Sequence, residues 1–217
     1  MTDTNRFAAA VRGYRDEITA AMQISDESLS ASGLGERQRA AVAAARTRLL
    51  AAVPPLPPGV QSADVLVGLA AKTADEIARM QHEQVKVRAL LDAGRPLAQI
   101  IAEADDVRAL AIADLVETLP QVLESNSGAE IVAEVRGRVF DRLADLGVDA
   151  AASVRAVEQQ NAPVIAWHQA MTETAAGSDA SVAAWQDVYR SDPEGYEVVR
   201  AGFDGHVDEW ARRLDLA

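Results

Sequence analysis

Between Ser62 and Gly94 one apolar stripe runs without a break. Leu66, Ala70, Thr73, Ile77, Met80, Gln84, Val87 and Leu91 follow one another at alternating spacings of four and three. That spacing keeps the side chains on one side of an α-helix, as in the seam of a coiled coil. Lys72, Asp75, Glu76, Arg79, Glu83, Lys86 and Arg88 fall mostly off the stripe. Ser62 suits an N-cap, Asp64 places a carboxylate near the positive end of the helix dipole, and Gly94 can take the left-handed conformation that ends a helix. The pattern predicts one helix of about 30 residues, ~45 Å long. A small globule does not enclose such a helix evenly, so the expected packing is elongated. Thr73 and Gln84 are polar at seam positions, which fits a loosely packed intramolecular seam or a register-setting contact between chains.

The remaining segments read as helices around this one. Phe7, Val11, Tyr14 and Ile18 predict a helix over about Thr4–Met22, followed by a polar connection at Ser25–Gly35 and a second helix over about Glu36–Val53. Pro54-Pro55-Leu56-Pro57-Pro58-Gly59 ends that helix as a stiff, extended strap. After Pro96, Leu97, Ile101, Ala104, Ala111 and Leu115 predict a returning helix to about Thr118, antiparallel to Ser62–Gly94; Pro120 interrupts it. Ser127 and Glu130 have capping-box spacing ahead of a helix carrying Val132, Val135, Val139 and Leu143, which stops at Gly147. A long helix with Pro163 near its middle follows, then a short one through Trp185 and Tyr189. Asp192-Pro193 caps the last, which carries Tyr196, Val199, Phe203, Val207, Trp210 and Leu214. The expected fold is all-α, an elongated antiparallel bundle of six to eight helices. Its divisions are an N-terminal helical pair (1–53), a Pro-rich linker (54–61), a long central helical hairpin (62–126) and an aromatic-richer C-terminal region (127–217).

Charge and composition remove several classes of function. The net charge is −12, and residues 127–217 hold 8 basic against 16 acidic side chains. That balance disfavours an electrostatic grip on nucleic acid or on an anionic membrane. Arg37, Arg39, Arg46 and Arg48 are locally basic but do not share one helix face, so a solvated face or docking onto the chain's own acidic half is expected. There is no cysteine, hence no disulfide, no thiolate nucleophile and no Cys-based zinc site. No secretory signal is visible, and the uncharged run Leu49–Ala63 contains four prolines and is too short to span a bilayer. The expected location is cytoplasmic, or within an assembled particle.

No constellation for chemistry emerges. Metal sites in helical bundles use Glu-x-x-His pairs, whereas Arg79 precedes His82, Ile165 precedes His168 and Phe203 precedes His206 at that spacing. His206 with Glu209 is a lone acid–histidine pair. No glycine pattern flanks a serine as in a nucleophile elbow, and no Gly-rich loop ends in Lys-Ser or Lys-Thr. No catalytic residue, cofactor or metal is expected, and no enzymatic activity. The aromatics concentrate late in the chain, and Trp, Tyr and their neighbours dominate both cores and interface anchors. Trp167, His168, Trp185, Tyr189 and Trp210 are the candidate interaction residues, with His168 also readable as a hydrogen-bonded seam histidine. The function expected from these features is non-enzymatic protein–protein interaction or assembly through a protein partner or a homo-oligomer, with no nucleic acid and no membrane. A scaffolding component of a bacterial or bacteriophage particle is one form of it. The alternative is a ligand-binding regulatory bundle with a pocket near the C-terminal tryptophans.

Overall fold

A computed structural model describes residues 4–59, 62–177 and 180–201. Among these residues the chain is all-α, with eleven α-helices, one 3₁₀ turn and no strand. It divides into two compact units, Met1–Pro58 with Gln160–Ala217, and Gly59–Gln159.

In the first unit, α1 (Asn5–Met22) and α2 (Ala31–Ala52) form an antiparallel hairpin. The direction follows from its cross-links: Arg48 pairs with Glu17 at 2.9 Å, Gln38 Nε2 donates to the Ile24 carbonyl, and Arg37 pairs with Asp26 at 3.0 Å. Arg37 and Arg48 therefore lie on a solvated face and meet acids of their own hairpin, not those of the acidic half of the chain. Both ion pairs are exposed, and such pairs contribute little to stability. The second helix starts earlier than its polar N-terminal sequence predicts, because the Ser30 hydroxyl accepts from the Gly33 N–H and caps it there. The predicted α1 stripe is the buried face: Phe7, Val11, Tyr14 and Ile18 join Val42, Leu49, Trp167, Met171 and Val188 in one core.

The second unit contains α3 (Ser62–Gly68), α4 (Ala74–Asp92), α5 (Leu97–Glu103), α6 (Asp106–Leu115), the 3₁₀ turn Val116–Thr118, α7 (Pro120–Leu123) and α8 (Gly128–Asp145). Its core is largely aliphatic, around Ile100, Ile112, Val116, Val139 and Leu143, with Phe140 added. The single helix expected over Ser62–Gly94 is in fact two, and the reason is local. Thr73 is extended (ψ 157°) and forms a full capping box with Glu76. Its hydroxyl accepts from the Glu76 N–H at 3.3 Å, while the Glu76 carboxylate accepts from the N–H groups of Thr73 and Lys72, each at 3.0 Å. Three backbone donors are satisfied by starting a helix at this point. The same backbone bonds, from Lys72 and then Thr73, hold the Glu76 carboxyl below the usual carboxylate range. Thr73→Ala is expected to cost about 1 kcal/mol, read as a lower urea midpoint at unchanged slope. An unchanged midpoint would mean the box does not hold the break.

The returning helix is likewise broken. Asp105 is extended and its carboxylate accepts from the Arg108 N–H at 2.9 Å, so α5 ends and α6 begins across it. The Ala104 carbonyl freed by the break accepts from Arg142 Nε of α8 at 2.8 Å. These two internal caps, together with the short α7, raise the helix number above the expected six to eight and replace the long central hairpin by shorter pieces. Gln84 stays within the chain: its amide donates to Asp114 of α6 at 2.7 Å. The capping box expected at Ser127 and Glu130 does not form, because Ser127 is not extended (φ −103°, ψ 25°) and its hydroxyl caps nothing.

The helix stops at Gly94 and Gly147 are as expected, with φ of 80° and 75°. In each, the residue after the glycine donates back over a full turn, Arg95 to the Leu90 carbonyl and Val148 to that of Leu143, both at 3.0 Å. In α4, Glu83 accepts from Lys86 at 2.5 Å and from Arg108 of α6 at 2.8 Å. The Lys86 bond and then the Arg108 bond push its carboxyl below the ordinary value of 4.5. A depressed native pKa stabilises the fold above the unfolded value, and that contribution is lost as pH falls through the native one. The thermal midpoint is therefore expected to drop on acidification below about pH 4.5, and Glu83→Gln to drop less steeply over that window. Equal slopes for both proteins would contradict the assignment.

Candidate functional site

The site lies in the first unit and is built around one turn. Helix α9 (Asp149–Ala175) delivers Trp167, α10 (Val182–Ser191) follows, and α11 (Pro193–Arg200) leaves it. Ser181 starts α10 by accepting from the Ala184 N–H at 3.2 Å. Its own N–H donates to Glu173 of α9 at 2.6 Å. This bond first, and that from Gln169 next, hold the Glu173 carboxyl below its ordinary range. Asp192 then serves two partners. Its Oδ1 accepts from the Gly195 N–H at 3.1 Å and caps α11, and its Oδ2 accepts from the Trp167 indole at 2.8 Å. The α10–α11 turn is thus locked to a fully buried tryptophan, 0% exposed.

On this base the aromatic rings form a chain. Phe7 lies 6.3 Å from Trp167, Trp167 6.2 Å from Trp185 at 88°, Trp185 6.4 Å from Tyr196, and Tyr196 5.3 Å from Tyr189. The last three contacts are edge-to-face, which is favourable because the positive ring edge meets the negative face. From α1, the Arg15 guanidinium sits 5.9 Å from the Trp185 ring centre and donates to the Val199 carbonyl at 3.0 Å. A cation at that carbonyl complements the negative end of α11.

The outer part of the chain of rings lines an open groove of about 790 Å³, walled by Trp185, Tyr189, Tyr196, Val182, Arg15 and Arg200. Tyr189 is 54% exposed and Val182 74% exposed, so the apolar lining continues onto the surface. A smaller hollow of about 420 Å³ in the second unit is lined by Leu66, Val67, Ile77, Met80 and Leu110 beside the α3–α4 break.

Of the residues singled out from sequence, Trp185 and Tyr189 are brought together on the groove wall, one helical turn apart on α10. Trp167 is not on the groove wall but packs against Trp185, which is. His168 is away from the groove and half-buried, with Nδ1 2.8 Å from the Pro54 carbonyl. A carbonyl only accepts, so Nδ1 carries the proton and ties α9 to the proline strap. Trp210, with Phe203, His206 and Glu209, lies outside the described residues. Sequence reasoning did not assign Arg15 or Tyr196 to the site. Arg15 had a signal, since it follows Phe7 and Val11 at helical spacings of eight and four and so puts a charge on the apolar side of α1. Tyr196 was legible only as one member of an apolar stripe.

Among the described residues no group of three or more His, Asp or Glu side chains is placed to hold a metal ion, and no helix is long and apolar enough to cross a membrane. What the groove offers is aromatic and aliphatic surface, the Arg15 guanidinium, the Arg200–Glu197 ion pair and the Gln186 amide, a combination suited to binding. Comparison of the chain with protein-family models, with curated proteins and with solved structures finds no match.

Proposed function

We propose that this protein is a non-enzymatic interaction and assembly protein that self-associates through the α10–α11 groove. The observation that carries the reading is the open aromatic wall of Trp185, Tyr189 and Tyr196, which continues into exposed Val182. Trp, Tyr and Arg are the residues that most often dominate interface energies, and they do so where a rigid base holds them. Here that base is Trp167 and the Asp192 cap. A scaffolding role in a bacterial or bacteriophage particle is one form such assembly could take.

The test is Tyr189→Glu, compared with the native protein by sedimentation velocity. Tyr189 is largely exposed, so the variant is expected to keep its thermal midpoint while the native oligomer dissociates to monomer. An oligomer of unchanged affinity in the variant would rule out this groove as the contact.

A second reading is favoured by the position of Trp185, whose ring both lines the groove and meets Trp167 edge-on. The groove would then hold a small amphipathic ligand, and filling it would change tryptophan fluorescence. A ligand screen read by that fluorescence separates the two: saturable quenching with a monomeric protein supports the ligand reading over self-association.

A further inference from the structure

We propose that α9 is built to open locally between Ala156 and Pro163, so that its two ends behave as separate helices. Three features converge on this stretch. Pro163 lies inside the helix and has no N–H, so the Gln159 carbonyl lacks the donor that a helix supplies four residues on. The ring also crowds that carbonyl.

The second feature is exposure. Ala156, Val157, Glu158, Gln159 and Gln160 are all exposed in succession, which is more than one full turn. No side of the helix is buried there. On either side α9 is anchored: Ala151 is buried in the aliphatic core, while Ala166, Trp167, Ala170 and Met171 are buried in the aromatic one.

The third is topological. The division between the two compact units falls between Gln159 and Gln160, inside this exposed turn. Most helical stability in proteins comes from tertiary packing, and a turn exposed on all sides leans mainly on its intrinsic propensity. Here that propensity is weakened by the proline. Such a turn has a lower opening free energy than the buried turns on either side of it. The device lets each end of α9 stay folded with its own core when the middle opens.

Hydrogen exchange of the full chain, resolved by NMR, tests this directly. The amides of residues 157–162 are expected to exchange about tenfold or more faster than those of residues 139–143 in α8. In Pro163→Ala the same amides are expected to slow by about tenfold or more, with α8 unchanged. Glutamyl endopeptidase gives an orthogonal readout on the native protein: among glutamates within helices, the cut after Glu158 should precede that after Glu134, although both are exposed. Protection at 157–162 equal to that of α8 would overturn the proposal, as would unchanged exchange in the variant or a first helical cut at Glu134.

Discussion

Trp167→Ala is expected to lower stability by about 3–5 kcal/mol, the largest loss from any single side chain in the first unit. The indole is wholly buried, contacts Phe7 on one side and Trp185 on another, and donates to Asp192. Its removal leaves a cavity and takes the N–H partner from a half-buried carboxylate. A typical domain is stable by only about 5–15 kcal/mol, so a loss of this size moves the unfolding midpoint far. Trp167→Phe separates the two components. It keeps most of the ring volume and deletes the donor, and is expected to cost about 1–3 kcal/mol. Urea unfolding followed by the remaining tryptophans checks both. A cost below about 1 kcal/mol for the alanine variant would mean that Trp167 does not hold the turn.

Gly195→Ala is expected to cost about 2–4 kcal/mol, an effect with no counterpart at an ordinary helix position. A Cβ here would overlap Asp192 Oδ2, lie 2.9 Å from Asp192 Cγ and reach 3.0 Å from Trp167 Cζ2. The carboxylate would have to leave, and both of its bonds would go with it: the α11 cap and the Trp167 anchor. The double variant Asp192→Ala with Gly195→Ala provides the check. Once the carboxylate is gone the methyl group has less to collide with, so the double variant should cost less than the two single costs together. Strict additivity would show that the overlap with Asp192 is not the source of the loss.

These two residues also mark how far the sequence can be read. Asp192-Pro193 announces a helix start by chemistry that is local, and the helix starts there. Gly94 and Gly147 announce helix ends the same way, and both take the left-handed conformation. What local pattern leaves ambiguous is a residue with two roles. Thr73 continues the spacing of Ala70, Ile77 and Met80, yet Thr73 with Glu76 is also a capping pair. The capping pair won, because satisfying three backbone donors outweighs one more polar side chain on a weak seam. Ser127 and Glu130 show the converse, the same spacing without the extended backbone that makes it work.

The site was legible in part for a related reason. Trp185 and Tyr189 are one turn apart on one helix, so their shared face follows from spacing alone. Arg15 meets Val199 across 184 residues of chain. A helix stripe shows which side is buried and does not say against what. The anchoring of α10 and α11 on α1 is therefore information that only the tertiary structure supplies.

The central claim is that the aromatic groove is a contact between copies of this chain. Light scattering coupled to size-exclusion chromatography, over about a hundredfold range of protein concentration, tests it most directly. The account predicts a mass of at least twice that of one chain in the upper part of the range, falling to the monomer for Tyr189→Glu. A native protein that stays monomeric throughout would contradict it.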